Sequence, residues 1–140
     1  MLFLGTYPYS MDERGRVPIP PRFRDAFLSG VILTQGSPDK CVRIYPLSGF
    51  QDKADLYMAE PVTRRLGRLM RRSFFSTAYD AQLDRQGRVL VPTQLRRWAN
   101  LDGEVMVIGI GDGIEVWDER AYEEARAAEE SELEALESES

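Results

Sequence analysis

The fold is decided by the stretch Met11-Asp12-Glu13-Arg14-Gly15-Arg16-Val17-Pro18-Ile19-Pro20, which returns as Leu83-Asp84-Arg85-Gln86-Gly87-Arg88-Val89-Leu90-Val91-Pro92. The two copies lie 72 positions apart, and the same spacing carries Arg24 onto Arg96. It also carries Val42–Tyr45 onto Ile114–Trp117. Such a register is not expected by chance. The chain therefore contains an internal duplication, and its fold is expected to be built from two equivalent halves.

Each half is predicted to follow the order β-turn-β-α-β-β. A first strand leads into a tight turn at Asp12–Gly15 or Asp84–Gly87, where glycine can adopt a positive φ. A short second strand ends at Pro20 or Pro92, and a helix of about two turns follows. The strands are predicted at Gly5–Met11, Arg16–Ile19, Val31–Gln35, Cys41–Tyr45, Ala78–Leu83, Arg88–Val91, Glu104–Gly109 and Gly113–Trp117.

The segment between the two copies is predicted to be helical and broken at Pro61, with one helix over Leu47–Met58 and another over Thr63–Ser73. The second helix carries Leu66, Leu69, Met70 and Ser73 on one face and Arg64, Arg65, Arg68, Arg71 and Arg72 on the other. Three roles are open for these arginines: the DNA backbone, acids of a neighbouring subunit, or solvation. The chain end, 119–140, is predicted to begin as a helix and then fray.

One copy alone buries too little apolar surface to be stable. We therefore expect an α+β, mostly β fold, in which the tandem β-β-α-β-β repeats close a common β-barrel around a pseudo-twofold axis, with peripheral helices. The predicted divisions are repeat 1 at 5–48, a helical linker at 49–76, repeat 2 at 77–120 and an acidic C-terminal helix or tail at 121–140.

The composition argues against an enzyme. The chain has no histidine, so it lacks the commonest general base and zinc ligand. It has a single cysteine, Cys41, which fits a reducing compartment. No apolar run approaches the roughly 20 residues of a membrane-spanning helix. We expect a cytoplasmic protein without catalytic residues, cofactor or metal site.

The net charge of −5 conceals a basic body. From Asp118 onward ten acids face two arginines, a local charge of −8, so residues 1–117 carry a charge of +3. Of the 18 basic residues 16 are arginine, whose planar fork bonds both phosphates and guanine edges. This pattern favours a nucleic-acid partner for the body of the chain.

The motif Asp12-x-x-Gly15-Arg16 followed by Pro20-x-x-x-Arg24 resembles the signature of SpoVT-AbrB swapped-hairpin barrels. The whole chain to about residue 122 more closely resembles the MraZ family. The matching segments are Gly5-Thr6-Tyr7, Thr34-x-Gly36, Ile44-Tyr45-Pro46, Arg72-x-Phe74-Phe75-Ser76, Leu83-Asp84-x-Gln86-Gly87-Arg88, Ile108-Gly109-x-Gly111-Asp112 and Glu115-x-Trp117-Asp118.

The resemblance implies a sequence-specific DNA-binding transcription regulator, associated with the nucleoid, that represses its own division and cell-wall operon. It also implies a ring-like homo-oligomer bound to repeated promoter boxes on double-stranded DNA. Two other functions stay open. One is a ring-shaped scaffold for protein interactions, and the other is an AbrB-type antitoxin.

The candidate DNA-binding residues lie at and after the two turns: Arg14, Gly15, Arg16, Arg85 and Arg88, and additionally Arg22, Arg24 and Arg96 on the short helices. Asp12, Asp84 and Gly87 are interpreted as structural turn residues, since Asp commonly caps turn N–H groups. Alternative roles are ion pairing to the nearby Asp or simple solvation for Arg16 and Arg88, and support of the barrel for Arg22, Arg24 and Arg96.

Overall fold

A computed structural model of the protein describes residues 1–139, so Ser140 of the predicted tail lies outside the described residues. The strands are β1 (Thr6–Ser10), β2 (Arg16–Pro18), β3 (Val31–Gly36), β4 (Cys41–Pro46), β5 (Tyr79–Ala81), β6 (Arg88–Leu90), β7 (Glu104–Gly109) and β8 (Ile114–Asp118). The helices are a 3₁₀ helix at Pro21–Phe27, α1 (Leu47–Ala59), α2 (Arg65–Ser76), α3 (Thr93–Ala99) and α4 (Glu119–Ser138).

The fold is a mixed α+β arrangement dominated by antiparallel strands. Strands β1-β7-β8-β4-β3-β5 form one six-stranded sheet in that order, and β2 pairs with β6 in a separate ribbon. The predicted closed barrel is not confirmed, because β1 and β5 are free edges of the sheet and the ribbon stands apart from it. Pro18 is the last residue of β2, and Pro20 and Pro92 follow the two ribbon strands. Proline cannot donate a hydrogen bond to extend a ladder.

The predicted helices occur with shifted bounds. Helix α2 begins at Arg65 rather than Thr63 and continues to Ser76. Helix α4 continues to Ser138 instead of fraying early. Its Ala, Glu and Leu residues are strong helix formers, which explains the extension. Among the described residues no helix has the length and hydropathy needed to cross a membrane.

The two halves meet through residues that occupy equivalent positions in the duplication. In the ribbon Val17 pairs with Val89, and in the sheet Arg43 pairs with Glu115. Antiparallel pairing of each residue with its own equivalent relates the flanking residues by a local twofold rotation. The halves therefore face each other, while the residue bounds proposed for the repeats stay a prediction.

The core draws equally on both halves. Val17, Ile19, Val42 and Ile44 are fully buried, and so are their equivalents Val89, Val91, Ile114 and Val116. A smaller cluster of Tyr45, Ala54 and Phe74 fastens α1 and α2 to the sheet. Because the main cluster crosses the local twofold, neither half has a complete core of its own.

Leu95 on α3 is 1% exposed, whereas Leu28 after the 3₁₀ helix is 73% exposed. We predict that Leu95→Ala lowers the free energy of unfolding by about 2–5 kcal/mol, because it leaves a cavity in the shared core. Leu28→Ala should change it by less than about 0.5 kcal/mol. Urea denaturation followed by circular dichroism measures both, and equal effects would contradict this assignment of the core.

Candidate functional site

Both predicted turns are closed by the aspartate at their first position. Oδ1 of Asp12 accepts hydrogen bonds from the backbone N–H groups of Arg14 at 3.0 Å and Arg16 at 2.9 Å. Oδ1 of Asp84 accepts the equivalent bonds from Gln86 at 2.9 Å and Arg88 at 3.0 Å. Each carboxylate thus holds the backbone of its own turn in a fixed shape, a common use of Asp in turns.

The second oxygen of each aspartate accepts an arginine side chain. Nε of Arg16 donates to Oδ2 of Asp12 at 2.6 Å, and Nε of Arg88 donates to Oδ2 of Asp84 at 2.9 Å. Weaker contacts cross the local twofold, from Nη1 of Arg88 to Asp12 at 3.7 Å and from Nη1 of Arg16 to Asp84 at 4.0 Å. Two acids and two bases therefore form one neutral cluster that links the turns.

These contacts favour the ionised carboxylates. The hydrogen bond from the backbone N–H of Arg16 holds the pKa of Asp12 below its usual range, and the Arg16 side chain acts in the same direction. Arg88 lowers the pKa of Asp84 in the same way, first through its backbone N–H and then through its side chain. Hydrogen bonding to the charged form is the physical cause in both turns.

The glycine of each turn accommodates an arginine from the other half. Gly15 has φ +85°, and a Cβ added there would lie 2.6 Å from Cζ of Arg96. Gly87 has φ +75°, and a Cβ there would lie 2.5 Å from Cζ of Arg24. The two guanidinium groups therefore occupy the space that side chains at the turn glycines would fill. Each arginine packs on the turn of the opposite repeat.

The same two arginines are hydrogen-bonded at their own helices. Nε of Arg24 donates to the carbonyl of Ile19 at 3.0 Å, and Nη2 of Arg96 donates to Oγ1 of Thr93 at 2.9 Å. The sequence alone leaves two roles open for Arg24 and Arg96, which are phosphate clamping and support of the barrel. Both arginines support the opposite turn, a crossing contact that the sequence alone does not show, and their contact with DNA stays a prediction.

The exposed cations lie at the tips of the turns. Arg14 and Arg85 are exposed, and within residues 1–139 their side chains make no hydrogen bond or ion pair. Arg22 is also exposed, with Nη1 at 3.4 Å from the Tyr7 hydroxyl and its guanidinium over the Phe23 ring. Each turn thus presents one arginine whose side chain has no hydrogen-bond or ion-pair partner among the described residues, and the first turn also carries the exposed carboxylate of Glu13.

Cys41 is buried in β4, and burial raises the pKa of its thiol. A protonated, enclosed thiol is a poor nucleophile and a poor metal ligand. No group of three or more His, Cys, Asp or Glu side chains within the described part of the chain is arranged to hold a metal ion.

Comparison with known proteins defines the class. Regulators named "Transcriptional regulator MraZ" are 39% identical in Salinispora tropica over 97% of this chain and 95% of theirs, and 38% identical in Moorella thermoacetica over 96% and 94%. A third, from Nocardioides sp., is 41% identical over 91% of this chain and 88% of its own length. These relatives are regulators of transcription, which is not a class of enzyme.

The family itself is equally clear. The sequence model described as "MraZ protein, putative antitoxin-like" matches residues 2–72 and 74–139, one match for each half of the chain. The chain belongs to the MraZ family.

We predict that Gly15→Ala destabilises the protein more than Gly103→Ala. Gly103 also has a positive φ, of +92°, but a Cβ there would meet nothing within 4 Å. Gly103→Ala should therefore cost only backbone strain, about 1–2 kcal/mol, whereas Gly15→Ala must also displace Arg96. Thermal unfolding of both variants provides the measurement.

Arg96→Ala is the matched test of that contact. In the Gly15→Ala background it should cost less stability than in the wild type, because the displaced guanidinium is already lost. The contact would be refuted if the stability losses of Gly15→Ala and Arg96→Ala were additive and if Gly15→Ala and Gly103→Ala lost equal stability. The position of the Arg96 guanidinium would then not depend on the absence of a side chain at Gly15.

The lowered pKa values of Asp12 and Asp84 predict acid sensitivity. Their stabilisation is fully present above the unfolded-state pKa of about 3.9 and is lost as pH falls through the lower folded-state values. Asp12→Asn with Asp84→Asn should flatten the decline of stability below about pH 4. Parallel denaturation profiles for the wild type and this variant between pH 6 and pH 2.5 would refute the linkage.

Proposed function

We propose that the protein binds double-stranded DNA through its two paired turns and thereby regulates transcription, most simply as a repressor of its own operon. The observation that carries this proposal is the pairing of the turns across the β2–β6 ribbon, with Arg14 and Arg85 exposed at their tips. The family's name as a transcriptional regulator supports the same conclusion.

The spacing of the turns fits a duplex. The backbone N–H of Val91 donates to the carbonyl of Gly15, and that of Ile19 donates to Gly87, so the ribbon extends from one turn glycine to the other. Gly87 lies opposite Ile19, which is four positions along the chain from Gly15, so the two glycines are about 13 Å apart along the ribbon. The major groove is about 12 Å wide. The two turns can therefore approach the two edges of one groove.

The turn arginines have two different roles in DNA binding. Arg14 and Arg85 are the cations free to reach phosphates, and phosphate contacts position a protein on its duplex. Arg16 and Arg88 are about a quarter exposed at their side chains, at 27% each, and contact DNA through the groups not bound to aspartate. Gln86 stands where the first turn has Arg14, so the second turn relies on Arg85 at the preceding position.

The two halves are proposed to exchange hairpins and form the swapped-hairpin barrel that the resemblance implies. In the ribbon each strand bonds to the strand of the other repeat, which supports an exchange of hairpins between the halves. The protein acts in the cytoplasm, at the nucleoid, where its promoter lies.

Residues 1–117 carry a charge of only +3, so one subunit binds double-stranded DNA weakly at physiological salt. Affinity therefore comes from a homo-oligomer that engages repeated promoter boxes together, since linked contacts raise the effective concentration of each one. Footprinting on the protein's own upstream region, with salt varied, identifies the boxes.

We predict that Arg14→Ala and Arg85→Ala each weaken duplex binding and reduce the salt slope, the dependence of log affinity on log salt, by about 1 for each bound subunit. Arg120→Ala removes an exposed arginine at the base of α4 and serves as the control, with affinity and slope unchanged. Fluorescence anisotropy with a labelled upstream duplex measures all three. Unchanged slopes for the turn variants, or an equal loss in the control, would exclude the turns as the DNA contact.

A further inference from the structure

We propose that helix α4 of one copy of this chain docks on helix α2 of a second copy, with leucines of both helices in contact and glutamates of α4 facing arginines of α2. This deepens the oligomeric part of the proposed function, because it names the surfaces that join the subunits. It does not depend on which residues contact DNA.

The receiving surface is an apolar strip on a basic helix. Leu66 is 67% exposed and Leu69 is 40% exposed on α2, although the buried side of this helix is made by Gly67 and Phe74. The helix and its first flanking residue carry five arginines, and no acid lies between Glu60 and Asp80. Among the described residues, the hydrogen bond made by these guanidinium groups runs from Nη1 of Arg68 to the backbone carbonyl of Val62. The surface is therefore both apolar and strongly positive.

A groove continues this strip towards the sheet. It has a volume of about 230 Å³ and lies between α2 and the β3–β4 hairpin. Tyr57, Leu69, Met70 and Phe74 form its apolar wall, and Arg43 and Gln35 supply polar groups. A leucine side chain from another helix fits a groove of this size and character.

Helix α4 has the complementary properties. It has no buried residue from Glu119 to Ser138, and Leu133 and Leu136 are 56% and 58% exposed. At 100° per residue these leucines share one side of the helix with Ala125 and Ala128. Glu129 and Glu132 lie on that same side. A helix of this length extends about 30 Å. It contacts β7 and β8, and its half-buried residues lie between Glu119 and Ala125.

A second copy is the occupant that this chemistry selects. The C-terminal segment has a charge of −8 and α2 is a run of arginines, so opposite charges meet when one subunit offers α4 and another offers α2. Within a single chain both faces are exposed, so the contact is not made there. The phosphates of duplex DNA could pair with the arginines, but they offer no apolar surface for Leu66 and Leu69.

The test is a charge exchange in the full chain, with mass measured by sedimentation velocity. Arg65→Glu with Arg72→Glu, and separately Glu129→Arg with Glu132→Arg, should each reduce the assembled fraction at least tenfold in association constant. All four substitutions together should restore it. Arg97→Glu with Arg120→Glu makes an equal charge change and should leave the assembly intact, because Arg97 lies on α3 and Arg120 lies on the side of α4 opposite its leucines.

Leu136→Ala with Leu133→Ala tests the apolar half, because these exposed positions can change without loss of the fold. It should weaken assembly while the circular dichroism spectrum, which reports the fold of each subunit, stays unchanged. A monomeric wild type, unchanged mass in either charge pair, or failure of the combined variant to reassemble would overturn the proposal. Capture of a different protein by α4 in place of a second copy would also overturn it.

Binding to a short duplex with one box separates this proposal from the proposed function. If the α2 charge variant keeps its mass but loses the duplex, the α2 arginines contact DNA and the docking proposal is overturned. If assembly follows the charge exchange while the wild type binds no duplex, docking stands and the proposed function fails.

Discussion

The contact on which this structure depends is the crossing of each repeat's arginine onto the turn of the other. Arg96 lies against Gly15 and Arg24 lies against Gly87, and the absence of a side chain at each glycine makes the room. The aspartate–arginine cluster between the same turns adds two ion pairs across the local twofold. Each turn therefore packs against a side chain of the other half, so the two turns form one site rather than two.

The site contains two kinds of arginine: those that are paired with aspartates and stabilise the turns, and those that are exposed and can contact a ligand. Arg16 and Arg88 are neutralised by Asp12 and Asp84, so their charges contribute little field to the surroundings. The cations at the tips have no such partner among the described residues. A rigid base that presents few uncompensated charges favours many subunits acting together over tight binding by one subunit. Assembly and recognition are thereby linked in the proposed function.

The sequence predicted the strands and the turns because the duplication supplied each signal twice. Gly5–Met11 and Ala78–Leu83 identify the first strands, although β5 is shorter, at Tyr79–Ala81. Local patterns do not report which strand pairs with which, so the open sheet and the separate ribbon could not be read from periodicity. Periodicity places Leu66 and Leu69 on one face of α2 but does not show whether that face is buried, and both side chains are exposed.

The site was predictable in its residues but not in its connections. Asp12-x-x-Gly15-Arg16 indicates a turn, and a sequence shows that Arg24 and Arg96 are equivalent. It does not show that each of these arginines reaches the opposite glycine, because that contact depends on the rotation between the halves. The ion pair of Arg43 with Glu115, at 3.2 Å on the same twofold, was missed for the same reason.

The central claim is that the paired turns are the surface that meets a duplex. The most direct measurement is an NMR titration that follows the arginine Nε–H signals as the upstream duplex is added. Signals of Arg14 and Arg85 should shift first and most, while that of Arg43, paired with Glu115, stays in place. Shifts confined to the arginines of α2, with the turn signals unmoved at saturation, would contradict it.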